Sequence, residues 1–373
     1  MKIAIVHDWL YTYAGAEKVL EQILNCFPSA DIYSLIDFIP DAERGFLHNK
    51  PVTTSFLQKM PFIKTKHRHY LPLMPLAIEQ FDLSAYDVVI SSSHAVAKGI
   101  LTGPDQLHIC YCHSPIRYAW DMQHQYLNES GANKGLKSWI IRYLLHKIRI
   151  WDYRTAHGVD YFIANSQFIA RRIKKIYGRD AVVINPPVDT EKFIPQLNKE
   201  DFYFTASRLV PYKKISLIAE AFAQMPNKRL IIAGTGPEEE KVKRIAAQSS
   251  NITYLGYITD EVMISHLQRA KGFVFAAEED FGIIPVEAQA CGTPVIAFGK
   301  GGVLDSVIVD GEHLTGTFFK QQTIDSLIAA IQNFEKQDIK SADCLANAQK
   351  FSITEFNKQF TKFVLTKYHD KFN

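Results

Sequence analysis

The 373-residue sequence has no apolar stretch that reaches the roughly 18–20 residues a membrane-spanning helix needs. Its first residues, Met1 to Val6, enter a strand pattern directly, without the basic, apolar and small-residue succession of a secretory signal. Cysteine is sparse: Cys26, Cys110, Cys112, Cys291 and Cys344 make an odd set with no zinc-ligand spacing and no disulfide framework. Cys110 and Cys112 lie two apart in a strand-like run and share one face, which fits buried thiols in a reducing compartment. The G-x-G-x-x-G fingerprint is missing, which argues against a dehydrogenase. Low-complexity stretches and short-period repeats are absent too. These absences predict a cytoplasmic protein, held at most peripherally on a membrane. A formal net charge of +3 is too small to imply a nucleic-acid partner. Acid is unevenly missing: from Arg44 to Ile78 there is no Asp or Glu, while Lys50, Lys59, Lys64, Lys66 and Arg68 fall inside.

What is present is a two-domain pattern. The length exceeds one comfortable core and favours two domains of about 150–200 residues. Short continuous apolar runs, at Lys2–Val6, Val88–Ile90, His108–Cys110, Tyr161–Ala164 and Ala181–Ile184, read as buried parallel strands, with helical patterns between several of them. A second series follows the turn-rich Asn185–Asp189, with strands at Phe202–Phe204, Arg229–Ala233, Ile252–Leu255, Gly272–Phe275 and Thr293–Ala297. Its helices fit at Ile215–Gln224, Glu238–Gln248, Asp260–Arg269 and Pro285–Ala290. Such alternation predicts α/β domains with doubly wound parallel sheets, divided at about 190/191. Ligands of such sheets bind beyond the carboxyl ends of the strands, so the chemistry is expected in loops that follow strands, facing a cleft between the domains.

Four such loops carry candidates. The first is Asp280-Phe-Gly-Ile-Ile-Pro-Val-Glu287, which leads from a strand into a helix and is preceded by Glu279. A helix start offers unpaired amides and a positive dipole end to a pyrophosphate, and Gly282 allows close backbone approach. An ordinary helix start with acids favoured by the dipole is the competing reading. In the second, Arg208 and Lys213 follow the strand at Phe202–Phe204, where a planar fork and a point charge clamp a diphosphate or simply form a solvated basic loop. In the third, Gly15 sits between the first strand and the first helix, as a phosphate-facing loop or a plain turn. The fourth is His113, just past the strand at His108–Cys110, a residue type more often structural than functional when alone. His94, after Ser91-Ser-Ser93, offers a further polar group for an acceptor sugar, with helix capping as the alternative.

Taken in this order, the motifs resemble glycosyltransferase family 4, retaining nucleotide-sugar transferases of GT-B fold. The likeness covers nearly the whole chain and is most specific in Glu279-x₇-Glu287 with Ala288-Gln-Ala-Cys-Gly-Thr-Pro-Val295, and in Arg208-x₄-Lys213. His7-Asp-Trp-Leu10, Tyr111-Cys-His-Ser-Pro-Ile-Arg-Tyr-Ala-Trp120 and Ala164-Asn-Ser166 resemble a bacterial subgroup with mannosyltransferases of O-antigen and exopolysaccharide assembly. The resemblance implies two Rossmann-like domains, an acceptor domain at 1–190 completed by a terminal helix at about 354–373, and a nucleotide-sugar domain at 191–353. Three positions depart from the usual pattern: Ala14 stands where a first glycine is common, Lys214 where Gly often follows the motif lysine, and Asp280 where Gly follows the first glutamate.

The implied reaction moves a hexose, with mannose from GDP-mannose as the expected donor, to a saccharide or polyprenyl-diphosphate-linked acceptor of surface polysaccharide synthesis. Anomeric configuration is retained and neither metal nor cofactor is required. Arg208, Lys213 and amides around Gly15, Phe281, Gly282 and Ile283 serve the diphosphate, Glu287 the ribose, Glu279 and Asp280 the sugar, and His113 the region of the reacting carbon. His94 and Arg117 are the acceptor candidates. The basic, aromatic segments Lys59–Tyr70 and Ser138–Arg149 suit an anionic membrane at the inner face of the plasma membrane, or else form a solvated face and an internal helix. A UDP-sugar donor, a nucleotide-sugar 2-epimerase and a non-catalytic nucleotide-sugar-binding protein are the alternatives.

Overall fold

A computed structural model describes residues 1–129, 131, 134–196 and 198–372. The chain divides into two compact units, one of residues 1–185 with 356–373 and one of 186–355.

The first unit is built on a seven-stranded sheet: β1 (Ile3–His7), β2 (Asp31–Ser34), β3 (Val52–Thr54), β4 (Val88–Ser93), β5 (Leu107–Cys112), β6 (Tyr161–Ala164) and β7 (Ala181–Val183). Every pairing is parallel, in the order β3-β2-β1-β4-β5-β6-β7. β1, β4 and β5 are buried along their whole length, as central strands covered on both faces must be. The second unit holds β8 (Glu200–Ala206), β9 (Leu230–Ala233), β10 (Ile252–Tyr254), β11 (Ala270–Phe275), β12 (Val295–Phe298) and β13 (Gly316–Phe319), again all parallel, ordered β10-β9-β8-β11-β12-β13.

Strand order reverses between β1 and β4 in the first sheet and between β8 and β11 in the second. At such a switch point the loops leaving neighbouring strands part to opposite faces and leave a crevice. The loops after β8 and β11 are those that carry Arg208, Lys213 and Glu279.

Several boundaries differ from expectation, each for a physical reason. β2 and β3 are short edge-side strands with exposed alternate residues, so they lack the continuous apolar run that marks the central ones. Ser91, Ser92 and Ser93 are not a loop after β4 but its last three residues, buried with the Ser91 and Ser92 hydroxyls partnered across the sheet and the Ser93 hydroxyl accepting from the Lys98 amide. The first helix, α1 (Gly15–Cys26), starts at Gly15 instead of after it: Glu17 reaches back to accept from the Ala14 amide at 3.0 Å and fixes the start there. The terminal helix, labelled below, returns to the first unit, with Phe356, Phe360 and Val364 in the core beside Ile23, Leu24 and Tyr111.

Candidate functional site

In the second unit the site starts from two loops. β8 ends at Ala206, and exposed Arg208 follows at once; a short 3-10 turn, Pro211–Lys213, then presents Lys213. Lys214 ends that turn in the left-handed region, at φ 57°, a backbone conformation that favours glycine. Across the switch point, β11 ends at Phe275 and the chain runs through Glu278, Glu279 and Asp280 to a helix at Ile283–Ala290. Lys213 Nζ donates to Glu279 Oε1, so the predicted phosphate cation and the predicted sugar carboxylate meet. Both are only partly exposed, at 16% and 21% of their side-chain surface.

The helix starts two residues before the sequence pattern indicates, at Ile283, because Gly282 takes φ 88° and turns the chain into it. Pro285 falls in the first turn, where its missing N–H removes no helical bond. Amides of that turn have no acceptor within the helix and carry the positive end of its dipole. Glu287, one turn in, is buried at 5% exposure. Asp280 and Ile283 are half-buried. The Phe281 ring is buried and packs on Phe351 at 5.7 Å between centroids, so only its backbone is left for a ligand.

Two glycine loops hold these segments and are absent from the sequence-based candidates. After β9, Gly234 lies so close to the Arg208 loop that a Cβ there would stand 1.8 Å from the Ser207 carbonyl oxygen, and Leu209 N–H donates to Thr235 at 2.8 Å. After β12, Gly302 N–H donates to the Glu279 carbonyl at 2.8 Å, and a Cβ on Gly302 would stand 2.2 Å from the Asp280 carbonyl oxygen. The signal was present in the sequence: Gly-Thr-Gly236 and Gly-Lys-Gly-Gly302 each follow a buried strand directly.

In the first unit the carboxyl ends of β1, β4 and β5 gather a second cluster. His7 and Ser92 are register partners on β1 and β4, and His7 Nδ1 lies 3.1 Å from Ser92 Oγ. Ser92 Oγ is also 2.8 Å from His113 Nε2. His113 is fixed through its backbone as well, its N–H on Ser93 O at 2.8 Å and its carbonyl accepting from Asn165 Nδ2 at 2.9 Å. Burial holds the His113 imidazole well below the usual histidine pKa. Asp8 is fully buried and accepts four amides, those of His94 and Ala95 on one oxygen and of Val96 and Ala97 on the other, at 2.6–2.9 Å. That carboxylate therefore locks the loop after β4 and sets the His94 ring, whose Nδ1 is 3.0 Å from Asp8 Oδ2 and which packs edge-on against Trp9 at 4.5 Å. Burial lowers the His94 pKa against the opposing pull of Asp8, and the charge of Arg117, which is half-buried, acts in the same direction as burial. His94 and His113 ring centroids are 6.2 Å apart. Gly15 does not stand among these side chains as a loop glycine; it is the first residue of α1 and contributes a helix-start amide.

Lys98, in the same segment as His94, has a structural role. It is buried in an ion pair with Asp152 at 2.6 Å and also donates to Thr155 Oγ1 at 3.1 Å. Among the described residues no group of three or more His, Cys, Asp and Glu is placed to hold a metal ion.

Residues 188–351 match the family model described as "Glycosyl transferases group 1", and residues 13–192 the one described as "Glycosyltransferase Family 4". The chain carries two glycosyltransferase domains. Among curated relatives, a GDP-mannose-dependent monoacylated alpha-(1-6)-phosphatidylinositol monomannoside mannosyltransferase of Corynebacterium glutamicum is 32% identical over 40% of this chain and 47% of its own length. D-inositol 3-phosphate glycosyltransferase of Mycobacterium tuberculosis is 30% identical over 49% of this chain and 42% of its own. The matches thus span under half the length of these relatives. Among solved structures, sucrose-phosphate synthase of Thermosynechococcus elongatus superposes with a TM-score of 0.71 at 16% identity, covering 99% of this chain and 100% of that one. HepE of Anabaena, in complex with UDP, gives 0.68 at 19% identity over 98% and 100%. The two glycosyltransferase domains have the GT-B fold, with one Rossmann-like sheet each.

Proposed function

We propose that this protein is a retaining hexosyltransferase that uses a nucleoside diphosphate sugar, with GDP-mannose as the preferred donor, to extend a saccharide or lipid-linked saccharide of surface polysaccharide synthesis. The observation that carries this reading is the meeting of Lys213 with Glu279 at the switch point of the second sheet, beside Arg208 and the start of the 283–290 helix. As the bond from the sugar's anomeric carbon to the phosphate oxygen breaks, negative charge gathers on the leaving diphosphate. Arg208, Lys213 and the amides of Gly282 and Ile283 are assigned to that charge. Glu287 takes the ribose and Glu279 the sugar hydroxyls, with Asp280 beside them. The anomeric carbon then bonds the acceptor oxygen on the same face, and the acceptor proton passes to the leaving phosphate. No protein carboxylate has to serve as nucleophile, and none of the chain's steps calls for a metal. In the histidine cluster of the first unit, His113 is assigned to the sugar near the reacting carbon, and His94, with Arg117, to the acceptor. The GDP-mannose preference draws on the mannosyltransferase relative; HepE, solved with UDP, keeps a UDP-sugar as the second donor.

The test is transfer from GDP-mannose and from UDP-sugars with the anomeric configuration of the product read by NMR. Loss of transfer in Glu279→Ala with nucleotide binding kept is expected, and an inverted linkage would sink the mechanism.

A peripheral membrane location is part of the same proposal, supported by one face of α2 (Gly135–Thr155). Leu136, Trp139, Ile140, Tyr143 and Ile150 recur at helical spacing and are all exposed, Leu136 at 75% and Trp139 at 66%. Lys137 and Lys147 are exposed on the same helix, whose single acid, Asp152, is buried against Lys98. Leu71 packs on the Leu145 and Ile148 side of this helix, which brings the acid-free 44–78 segment, with exposed Phe62, Lys64, Lys66 and Arg68, next to it. Apolar side chains among cations suit an anionic bilayer surface. Co-sedimentation with phosphatidylglycerol vesicles is expected to be lost in Trp139→Glu/Tyr143→Glu; sedimentation unaffected by those changes would refute the assignment. Among the described residues no helix is long and apolar enough to cross a membrane.

A further inference from the structure

We infer that Glu17, acting through His7 and Ser92, sets the tautomer of His113 and leaves its Nδ1 as a bare acceptor. The chain of contacts is Glu17 Oε1 to His7 Nε2 at 3.5 Å, His7 Nδ1 to Ser92 Oγ at 3.1 Å, and Ser92 Oγ to His113 Nε2 at 2.8 Å. All four residues are buried, at 9% exposure or less.

Proton counting gives the direction. The Ser92 hydroxyl has one proton and two imidazoles against it, so it donates to one ring and accepts from the other. His7 decides which. Its Nε2 is buried beside the Glu17 carboxylate, and a lone pair facing that charge is repelled, so Nε2 carries the proton. In neutral His7 the Nδ1 lone pair then accepts from Ser92. Ser92 Oγ is left to accept, and the one donor available to it is Nε2–H of His113. With its single proton there, neutral His113 has a free lone pair on Nδ1, and none of the described residues hydrogen-bonds that atom. His113 can accordingly accept the O–H of a sugar hydroxyl at Nδ1 but cannot donate from it. Glu17 is well placed for this because its other oxygen, Oε2, is already held by the Ala14 amide at 3.0 Å. The start of α1 thereby aims the carboxylate. Glu17, His7 and Ser92 are positioning residues in this scheme; its catalytic consequence rests on the role proposed above for His113.

The test is the two-bond ¹H–¹⁵N correlation pattern of His113 in the full chain labelled with ¹⁵N-histidine, assigned by its loss in His113→Gln. The wild type is expected to show proton on Nε2 alone. Ser92→Ala cuts the chain and is expected to give mixed tautomers, with transfer slowed roughly tenfold or more and the donor KM unchanged. Glu17→Ala is expected to do the same. Glu17→Gln has one carbonyl oxygen where the carboxylate offers two, one to His7 and one to the Ala14 amide, so it is expected to leave mixed tautomers as well. A proton on Nδ1 in the wild type, or the wild-type pattern in folded Ser92→Ala, overturns the relay. Mixed tautomers with undiminished transfer would uphold the relay and remove His113 from the reaction, so the two failures are distinct.

Discussion

Lys214 holds a left-handed backbone at φ 57° immediately after the motif lysine, a geometry that costs an L-residue roughly 1–2 kcal/mol. Its amide still closes the turn on Pro211 at 3.3 Å, so the conformation is imposed by the loop that presents Lys213. Lys214→Gly removes the strain but widens the unfolded ensemble, which offsets part of the gain. A net stabilisation of about 0.5–1 kcal/mol is expected in urea unfolding, with transfer activity kept. His108 sets a pH dependence. Buried on β5 with Nε2 2.8 Å from Ser91 Oγ, it has its pKa lowered by burial from 6.5 to about 4, a pull that the nearby Gly158 backbone and the Asp160 charge only partly oppose. The unfolded chain therefore binds the proton first as pH falls. The stability contributed by keeping this ring neutral is complete above pH 6.5 and is lost on the way down to about 4. At pH 5 the loss is about 2 kcal/mol. His108→Gln is expected to flatten the stability difference between pH 7.5 and pH 5 by roughly that amount, and an unchanged slope would refute it.

At the scale of elements, legibility followed burial. β11 and the Glu279–Glu287 segment were readable because the buried Gly272–Phe275 gives an unbroken apolar run and the helix after it begins at a glycine. β2 and β3 were not, since half-exposed strands have no such run. The extension of β4 through Ser91–Ser93 was hidden for a different reason: serine signals loop or cap unless its hydroxyl has a partner, and the partners of Ser91 and Ser92 come from His7 on β1, His108 on β5 and His113 just past it. The relay behind His113 was out of reach for the same cause, as Ser92 is 85 positions from His7 and 21 from His113. The glycine loops were visible as letters but not as supports. Gly302→Ala tests that function. A Cβ there would meet the Asp280 carbonyl oxygen at 2.2 Å and Phe281 Cα at 2.3 Å, backbone atoms that cannot swing aside. The Glu279 loop must shift, at a cost of about 1–3 kcal/mol. Donor KM is expected to rise roughly tenfold while the first unit's hydrogen exchange stays as in the wild type.

Each unit of the whole molecule has its own sheet and its own core, yet the first is finished by residues from the far end of the chain. α3 (Ile353–Phe372) places Phe360, fully buried, against Phe27 and Tyr111 at centroid separations of 6.3 and 6.4 Å, and Phe356 stacks on Phe360 at 5.5 Å. Asn357 Oδ1 accepts from Cys26 Sγ of α1 at 3.5 Å, and Lys371 pairs with Asp160 at 3.3 Å, so the helix is tied at both ends. Contacts of such sequence separation cannot form until the second unit has been made, which means that the first unit remains incomplete for most of synthesis. Phe360→Ala removes a ring from this core and leaves a cavity, at about 3–5 kcal/mol. If the units are separate cooperative bodies, that loss stays in one of them. Native-state hydrogen exchange is therefore expected to quicken in α1, β1 and β5 of Phe360→Ala, while β8, β11 and β12 keep wild-type protection and nucleotide continues to protect the 279–290 segment. Equal loss of protection in both sheets would refute the division and make the two units a single folding body.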